Sequence, residues 1–230
     1  MMPGIFIAGT DTGVGKSRVT RGLLRALQQR GVRACGMKPV ATGTSRIGGV
    51  IDNEDVAACV ALAPADTPRQ LINPYCFEPA ISPHAASRRA ATPIEPERVV
   101  AAYRALAARS DAVVVEGTGG WYAPIGERST MADIATQLAL PVVLTVGLRL
   151  GCLNHALLSL QAIRLSGLPL AGWIGSVLEA QMPALEDNIA FLSALPGVPR
   201  LALLPFSTAE DADAEYLGAA ASALFATGTD

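Results

Sequence analysis

Residues 9–17 combine glycines, a lysine and a serine at a spacing that suits the binding of phosphate groups. They read GTDTGVGKS and lie between an apolar run, 5–8, and a stretch of helical pattern, 17–30. A strand that ends in a glycine turn and leads into a helix presents several N–H groups and the positive end of a helix dipole at one point. Lys16 is expected to reach the outer phosphates, and the Ser17 hydroxyl to ligate magnesium. The alternative is a glycine turn without a ligand.

The spacing of this loop departs from the usual G-x-x-x-x-G-K-[ST] at one place. The usual first glycine falls at position 10, where the chain has Thr10, and Gly9 stands one residue earlier. The rest of the pattern is intact, so a nucleotide polyphosphate remains the expected ligand. The residues expected to contact it here are Gly13, Val14, Gly15, Lys16, Ser17 and Arg18.

A carboxylate follows the buried-looking strand 112–115. Glu116 ends that run, and the turn Gly117, Thr118, Gly119 comes next. Ligands of open parallel sheets bind at the carboxyl ends of the strands, and a carboxylate buried there is costly unless it meets a cation. Glu116 is therefore a candidate magnesium ligand, with the turn as a second nucleotide contact. A capping or salt-bridged glutamate is the alternative.

The region after the second strand supplies further polar candidates. Lys38 follows the run 32–37, and its ammonium could stabilise charge on a transferring phosphoryl group; Thr42 would add a hydroxyl. The acidic cluster 52–55 stands at a helix start, where one acid is expected to cap the helix. Asp55 could instead reach the metal, although capping is favoured from the cluster alone. For Lys38, a solvated lysine at a turn is the alternative.

A second anion site is expected after the strand 142–146. The segment Gly151, Cys152, Leu153, Asn154 opens another helix, whose free N–H groups would suit a carboxylate of a second substrate. Its neighbour His155, and His84 elsewhere, could be general bases, but a structural role is favoured for both.

Short apolar runs alternate with longer helical segments, which predicts an α/β fold with a mostly parallel sheet and helices on both faces. The strands are expected at 5–8, 32–37, 112–115, 142–146, 170–178 and 201–204. The helices are expected at 17–30, 52–62, 96–109, 131–139, 152–165, 183–195 and from about 211. Residues 64–96 are rich in proline and are predicted to form an irregular surface excursion.

The composition favours one globular domain over residues 1–230, with 50% hydrophobic residues and a net charge of −2. No basic run is present to neutralise nucleic acid or an anionic membrane. The four cysteines lack metal-site spacing and read as reduced thiols, and no leader or membrane-spanning run is evident. We therefore expect a cytoplasmic protein without nucleic-acid or membrane partners.

With these pieces assembled, the chain resembles the dethiobiotin synthetases, a family of the P-loop NTPase superfamily with a three-layer α/β/α fold. The resemblance rests on motifs in family order: GTDTGVGKS at 9–17, KPVATG at 38–43, NPY at 73–75, SPH at 82–84, VEGTGG at 115–120, LGCLNH at 150–155 and AGW at 171–173. The loop alone is common among ATPases, whereas this ordered set is specific.

The resemblance implies a reaction. The family closes a ureido ring on 7,8-diaminononanoate with CO2 and MgATP, through a carbamate and a carbamic-phosphoric anhydride. Lys16 and Lys38 would stabilise the transferring phosphoryl group, and Ser17, Asp55 and Glu116 match the magnesium positions. Thr42 matches a diamine contact. Family members are homodimers, and residues 151–154 would hold the substrate carboxylate of the neighbouring subunit.

One departure concerns the nucleotide base. Ser176 stands where some family members carry an asparagine that pairs with adenine, and serine can make only part of that pattern. Pro205, Phe206 and Ser207 are the other expected base contacts. The preference for ATP over other nucleoside triphosphates is therefore left open.

The runner-up is a partitioning or scaffold ATPase of the same superfamily, which switches partners without converting a small molecule. Such proteins normally carry a lysine near the loop start, where this chain has Thr10 and Asp11. A non-catalytic nucleotide-binding module conflicts with the set of polar candidates, and a related amidoligase domain is usually fused to a glutaminase for which this chain has no room.

Overall fold

The computed structural model describes residues 4–47, 50–206 and 213–225, with no side-chain description at 46, 47, 50 and 51. The strands in this part of the chain are β1 Gly4–Gly9, β2 Ala34–Met37, β3 Val40–Thr42, β4 Ser45–Ile47, β5 Val50–Asp52, β6 Tyr75–Phe77, β7 Ala112–Glu116, β8 Val142–Leu148, β9 Leu170–Val177 and β10 Arg200–Leu204. The helices are α1 Lys16–Gln29, α2 Glu54–Ala61, α3 Arg69–Ile72, α4 Pro83–Arg89, α5 Pro96–Ala107, α6 Met131–Leu138, α7 Cys152–Leu165, α8 Leu185–Ser193 and α9 Asp213–Leu224.

The main sheet of the described residues has six strands in the order β10-β9-β8-β1-β7-β2, all parallel. Because β7 lies between β1 and β2, the ends of these three strands meet at one edge. Two small sheets, β3 with β6 and β4 with β5, stand beside it. The predicted α/β fold with a mostly parallel sheet is confirmed. The assignment of residues 1–230 to one domain stays a prediction.

Helices cover both faces of this sheet, as predicted. In β7, Val113 and Val115 belong to one buried cluster, which includes residues of α5, α6, α7 and α8. Ala112 and Val114 belong to the other, which includes residues of α1 and α9. Successive strand residues point to opposite faces, so Glu116 shares the α1 face with Val114. This alternation brings the carboxylate toward the helix that follows the phosphate-binding loop.

Helix α1 packs closely against α9 on that face. Val19, Leu23 and Leu27 recur at helical spacing and are fully buried, which gives α1 an apolar stripe toward the sheet. On its α9 side, a Cβ at Gly22 would lie 2.5 Å from a methyl of Leu217. The close approach of the two helices therefore depends on glycine at this position.

The predicted strands and long helices are present, with end shifts of a few residues. The prediction of an irregular excursion over residues 64–96 is wrong, because α3, β6 and α4 lie within it. Each of these has seven residues or fewer, which is too short for a lasting sequence period. Their backbone partners come from elsewhere in the chain, since β6 pairs in parallel with β3. Before this segment, β4 and β5 form an antiparallel pair.

Candidate functional site

The phosphate-binding loop joins the end of β1 to the start of α1, as the sequence predicts. Gly13 and Gly15 have left-handed φ angles of 73° and 94°, which favour glycine. A Cβ on Gly15 would lie 2.6 Å from Ser176 Oγ, so no larger residue fits there without a shift of β9. Val14 is buried and packs against Gly147 of β8. The loop is thereby anchored on β8 and β9.

Lys16 folds back over this loop. Its Nζ donates to the Asp11 carbonyl oxygen at 2.8 Å, and a Cβ on Gly9 would lie 2.9 Å from the same nitrogen. Burial lowers the pKa of Lys16 to about 8, and the charge of Lys38 adds to this effect against the opposite pull of Glu116, Asp55 and Asp11. Lys16 is thus held against the loop by its hydrogen bond, and it loses its proton at a lower pH than an ordinary lysine does.

Lys38 joins two carboxylates on neighbouring elements. Its Nζ donates to Glu116 Oε1 at 2.6 Å and to Asp55 Oδ2 at 2.8 Å, and Ser17 Oγ donates to the same Glu116 oxygen at 2.8 Å. Only 4% of Lys38 and 1% of Glu116 are exposed. Burial alone would lower the pKa of Lys38, but the charges and hydrogen bonds of Glu116 and Asp55 outweigh it and raise that pKa.

Asp55 owes its place to the start of α2. Burial would raise its pKa, but the ammonium of Lys38 and its hydrogen bond prevail and lower it, so the carboxyl is held ionised. The prediction that an acid of the cluster 52–55 caps the helix is wrong. The cap is Asn53, whose side chain accepts from the N–H groups of Asp55 and Val56. Asp55 is thereby left to turn toward Lys38.

The same asparagine ties α2 to the end of β3. Asn53 Nδ2 donates to the carbonyl oxygens of Gly43, at 2.7 Å, and Thr42, at 3.2 Å. Next to it, the Thr118 hydroxyl donates to the Val40 carbonyl oxygen, which holds the turn after β7 against the first residue of β3. Thr42 and Thr118 therefore share one side of the site.

Arg18, in the first turn of α1, is held by a residue that the sequence analysis missed. Asp213, the first residue of α9, accepts from Arg18 at 2.6 and 3.0 Å and is 2% exposed. The same guanidinium lies 3.4 Å from the Pro205 carbonyl oxygen. Nothing in the local sequence around Asp213 indicates this contact, because the two residues are 195 positions apart.

These side chains surround one cavity of about 710 Å³. From the predicted set it is lined by Gly13, Gly15, Lys16, Ser17, Arg18, Lys38, Thr42, Asp55, Glu116, Thr118 and Gly119. The other lining positions were not predicted as site residues: Thr12, Asn53, Ala80, Ile81, Ser82, Pro83, Gly120, Ala123 and Pro124. Most of these are apolar or come from the proline-rich segment, whose motif SPH was the one available signal.

Other predicted site residues are not among those lining the cavity. Val14 belongs to the phosphate-binding loop and Gly117 to the turn after β7, and the segment 151–154 forms the N-terminus of α7. Ser176 is fully buried against Gly15, and its hydroxyl has no hydrogen-bond partner. Pro205 and Phe206 follow β10, and Ser207 lies outside the described residues. Base and carboxylate contacts at these positions stay predictions.

Neither histidine is brought into this cavity. His84 is paired through Nδ1 with the Ser82 hydroxyl at 3.0 Å, in the first turn of α4. His155 is exposed on α7. These positions are consistent with a structural role for both histidines. All four cysteines are free thiols.

The donor set suits a magnesium ion that is shared with phosphates. Among the described residues, no group of three or more His, Cys, Asp or Glu side chains could hold a metal by itself. Mg²⁺ usually takes one or two carboxylates together with substrate phosphates and water. Asp55, Glu116 and the Ser17 hydroxyl beside the phosphate-binding loop fit that requirement. In the same part of the chain, no helix has the length and apolar character needed to cross a membrane.

Solved structures with a similar fold include MinD cell division proteins. The MinD cell division protein of Aquifex aeolicus aligns with a TM-score of 0.60 over 99% of this chain and 98% of its own, at 14% identity. The septum site-determining protein MinD of Pyrococcus horikoshii, complexed with Mg-ADP, aligns with a TM-score of 0.57 over 98% and 94%, at 17% identity. At this level of identity the likeness shows the fold alone.

Sequence comparison identifies the family. A family model described as an AAA domain matches residues 3–213. The ATP-dependent dethiobiotin synthetase BioD of Cellvibrio japonicus is 43% identical over 209 residues, 91% of this chain and 92% of the relative. That of Ralstonia nicotianae is 44% identical over 200 residues, 87% of each chain. The chain belongs to the dethiobiotin synthetase family.

Proposed function

We propose that this protein is an ATP-dependent ligase that makes dethiobiotin from 7,8-diaminononanoate and CO2 in biotin biosynthesis. The observation that carries the proposal is the meeting of Lys16, Lys38, Asp55 and Glu116 with the Ser17 hydroxyl at one cavity. Family membership supports the substrate class. A switch ATPase needs a nucleotide site only, whereas this cavity of about 710 Å³ extends to Thr42 and the apolar segment 80–83. That extension leaves room for a second substrate.

The chemistry divides into three steps, and the protein's charges serve the second. An amine of the substrate takes up CO2 and loses a proton, which forms a carbamate. A carbamate oxygen attacks the γ-phosphorus and ADP leaves, so a carbamic-phosphoric anhydride forms. The second amine then attacks the carbonyl carbon, phosphate leaves and the ring closes with loss of a proton. We assign to Lys16 and Lys38 the stabilisation of the negative charge that spreads over the transferring phosphoryl oxygens.

The phosphates would be held by the N–H groups of residues 13–17 and by the helix dipole of α1. A magnesium ion at Ser17, Asp55 and Glu116 would neutralise the phosphate oxygens during transfer. Asn53 donates to the Thr42 carbonyl oxygen, and we assign the hydroxyl of Thr42, which lines the cavity, to the diamine. We assign Gly117, Thr118 and Gly119 to the nucleotide side of the same cavity.

The active site is proposed to lie between two copies of the chain, which work as single-domain cytoplasmic subunits. The segment 151–154 does not line the cavity of its own chain, as expected if it serves a neighbour. On α7 beside it, the apolar side chains of Leu157, Leu158 and Leu165 are exposed. A second copy that covers this face would bring the α7 N-terminus to the substrate carboxylate.

The base of the nucleotide is proposed to be selected weakly. Ser176 is sealed against Gly15 and cannot reach a base from that position without moving. Pro205 and Phe206, and Ser207 beyond them, are left to make the base contacts. CTP and GTP are therefore expected to replace ATP with kcat/KM values within about tenfold, the worth of one neutral hydrogen bond.

The test is the release of ADP and the formation of dethiobiotin, followed by mass spectrometry, from MgATP and bicarbonate with and without 7,8-diaminononanoate. Release of ADP should depend on the diamine and should be lost in Lys38→Ala. The control is Arg104→Ala, which changes an exposed residue of α5 outside the cavity lining and should leave release intact. Slow release that ignores the diamine and survives Lys38→Ala would favour a switch ATPase.

The shared site has its own test by complementation. Lys38→Ala and Asn154→Pro damage different halves of the proposed composite site, because proline removes the N–H of residue 154 in the first turn of α7. When the two inactive variants are mixed and allowed to exchange subunits, heterodimers with one intact site should recover up to about half of the activity per dimer. No recovery, with subunit exchange verified by mass spectrometry, would place both residues in the site of one subunit.

A further inference from the structure

The ammonium of Lys38 stands among the three side chains proposed to hold magnesium. Its Nζ is 2.6 Å from Glu116 Oε1 and 2.8 Å from Asp55 Oδ2, and Ser17 donates to Glu116 Oε1 at 2.8 Å. The one Glu116 oxygen therefore accepts two hydrogen bonds, and both of its lone pairs are engaged. A divalent cation binds through oxygen lone pairs, so a cation that takes Glu116 Oε1 or Asp55 Oδ2 competes with the donors now bonded to that oxygen.

The charges of this group also favour an exchange. Two carboxylates carry −2, and the Lys38 ammonium supplies +1 in direct contact with both, while the charges of Lys16 and Arg21 also act on this group. The side chain of Asp55 is 33% exposed and that of Glu116 is 1% exposed, so water screens the charges of these two carboxylates poorly. A Mg²⁺ ion supplies two positive charges at the same place. Once Mg²⁺ is bound, the metal compensates the charge of the two carboxylates, and it repels the Lys38 ammonium.

We propose that Lys38 and the divalent cation compete for Glu116 and Asp55, so that loading of the metal releases the Lys38 ammonium into the cavity. The inference rests on the magnesium site of the proposed function. Its consequence is an order of assembly: the metal with its nucleotide enters first, and Lys38 becomes available to the transferring phosphoryl group only afterwards. Before the metal arrives, Lys38 is held in its ion pairs.

The sequence makes this exchange directly observable. Lys16 and Lys38 are the only lysines in the chain. Protein grown with ¹³C-labelled lysine therefore gives two Cε resonances in a carbon–proton correlation spectrum, and Lys16→Arg assigns them because one remains. On titration of the nucleotide-free wild-type protein with Mg²⁺ alone, the Lys38 resonance should shift and the Lys16 resonance should move little, since Lys16 is bonded to a loop carbonyl.

Competition predicts a gain of metal affinity when Lys38 is removed. Binding of Mn²⁺ to nucleotide-free protein, measured by electron paramagnetic resonance, should be at least about tenfold tighter in Lys38→Met, because the metal no longer displaces a charge-assisted hydrogen bond. The matched control is Lys16→Met, which removes an equal charge from the same cavity without vacating the carboxylates. A long-range charge effect would tighten both variants alike, and that result would overturn the proposal.

The wild-type spectra keep the proposal falsifiable if Lys38→Met does not fold. If a magnesium complex of a non-hydrolysable ATP analogue shifts the Lys16 resonance while the Lys38 resonance stays in place, the metal binds without displacing Lys38 and the proposal fails. Neither measurement involves the diamine or turnover. Failure of the exchange therefore leaves the ligase assignment standing, and failure of the ligase assay leaves the exchange standing.

Discussion

Substitution of Glu116 by glutamine tests how much the central ion pair contributes to stability. The change keeps the shape of the side chain but removes the charge that faces Lys38 at 2.6 Å. A hydrogen bond to a charged group contributes about 1.5–3 kcal/mol, and a buried charge left with no partner costs about 3–5 kcal/mol. Lys38 keeps Asp55, so we expect a loss of about 2–3 kcal/mol.

For a chain of this size, about 1 kcal/mol shifts Tm by roughly 2–4 °C, so Tm should fall by roughly 4–12 °C. The pKa of Lys38 is raised above its usual 10.5, so its stabilisation is fully present below that value and is lost only as pH rises through the folded pKa. Calorimetry at pH 7 in EDTA therefore measures the full effect.

The matched control is Glu127→Gln, an exposed glutamate that the structure places outside the cavity lining. It should leave Tm within about 1–2 °C of wild type, because exposed charges contribute little. A drop in Glu116→Gln no larger than in the control would refute the reasoning. A double change with Lys38→Met extends the test, since the two losses should be non-additive if the residues are partners.

Three further predictions follow from neighbouring contacts. Burial lowers the pKa of Lys16 to about 8. Above pH 8, the dissociation constant of a magnesium-bound, non-hydrolysable ATP analogue should therefore rise by up to about tenfold per pH unit, as measured by calorimetry. Lys16→Arg should flatten this pH profile. Asn53→Ala removes the cap of α2 and should cost about 1–2 kcal/mol in chemical denaturation. Asp213→Asn should raise KM for ATP several-fold with kcat within about twofold, because it loosens Arg18 beside the cavity, whereas the exposed Glu215→Gln should change neither; equal kinetics in the two variants would contradict this role.

Much of the fold could be predicted because each long element carries its own signal. Strand β7 is a continuous β-branched run ending in a carboxylate, and α1 has an apolar residue on every turn. The short elements α3, β6 and α4 carry no such signal, and their formation depends on contacts distant in sequence, such as the pairing of β6 with β3. The proline-rich segment 64–96 was therefore predicted to be irregular, although it contains these ordered elements.

The site divides in a similar way. Lys16, Ser17, Lys38 and Glu116 follow strands directly, and the ends of adjacent parallel strands meet, so their convergence could be predicted. Asp213 could not, because it reaches Arg18 only through the packing of α9 on α1, 195 residues away in sequence. The capping residue of α2 was missed for a different reason, since an asparagine amid three acids competes equally well for a free N–H.

The position of Ser176 shows how a substitution can act through its neighbours. Its hydroxyl is buried without a partner, and its oxygen fills the space that a Cβ on Gly15 would need. A buried hydroxyl without a hydrogen bond costs free energy, yet this one lies under the loop that binds phosphate. Because Ser176 is fully buried, a longer side chain at this position would have to leave this space or displace the loop at Gly15. A change at 176 would therefore act on the phosphate-binding loop through its contact with Gly15.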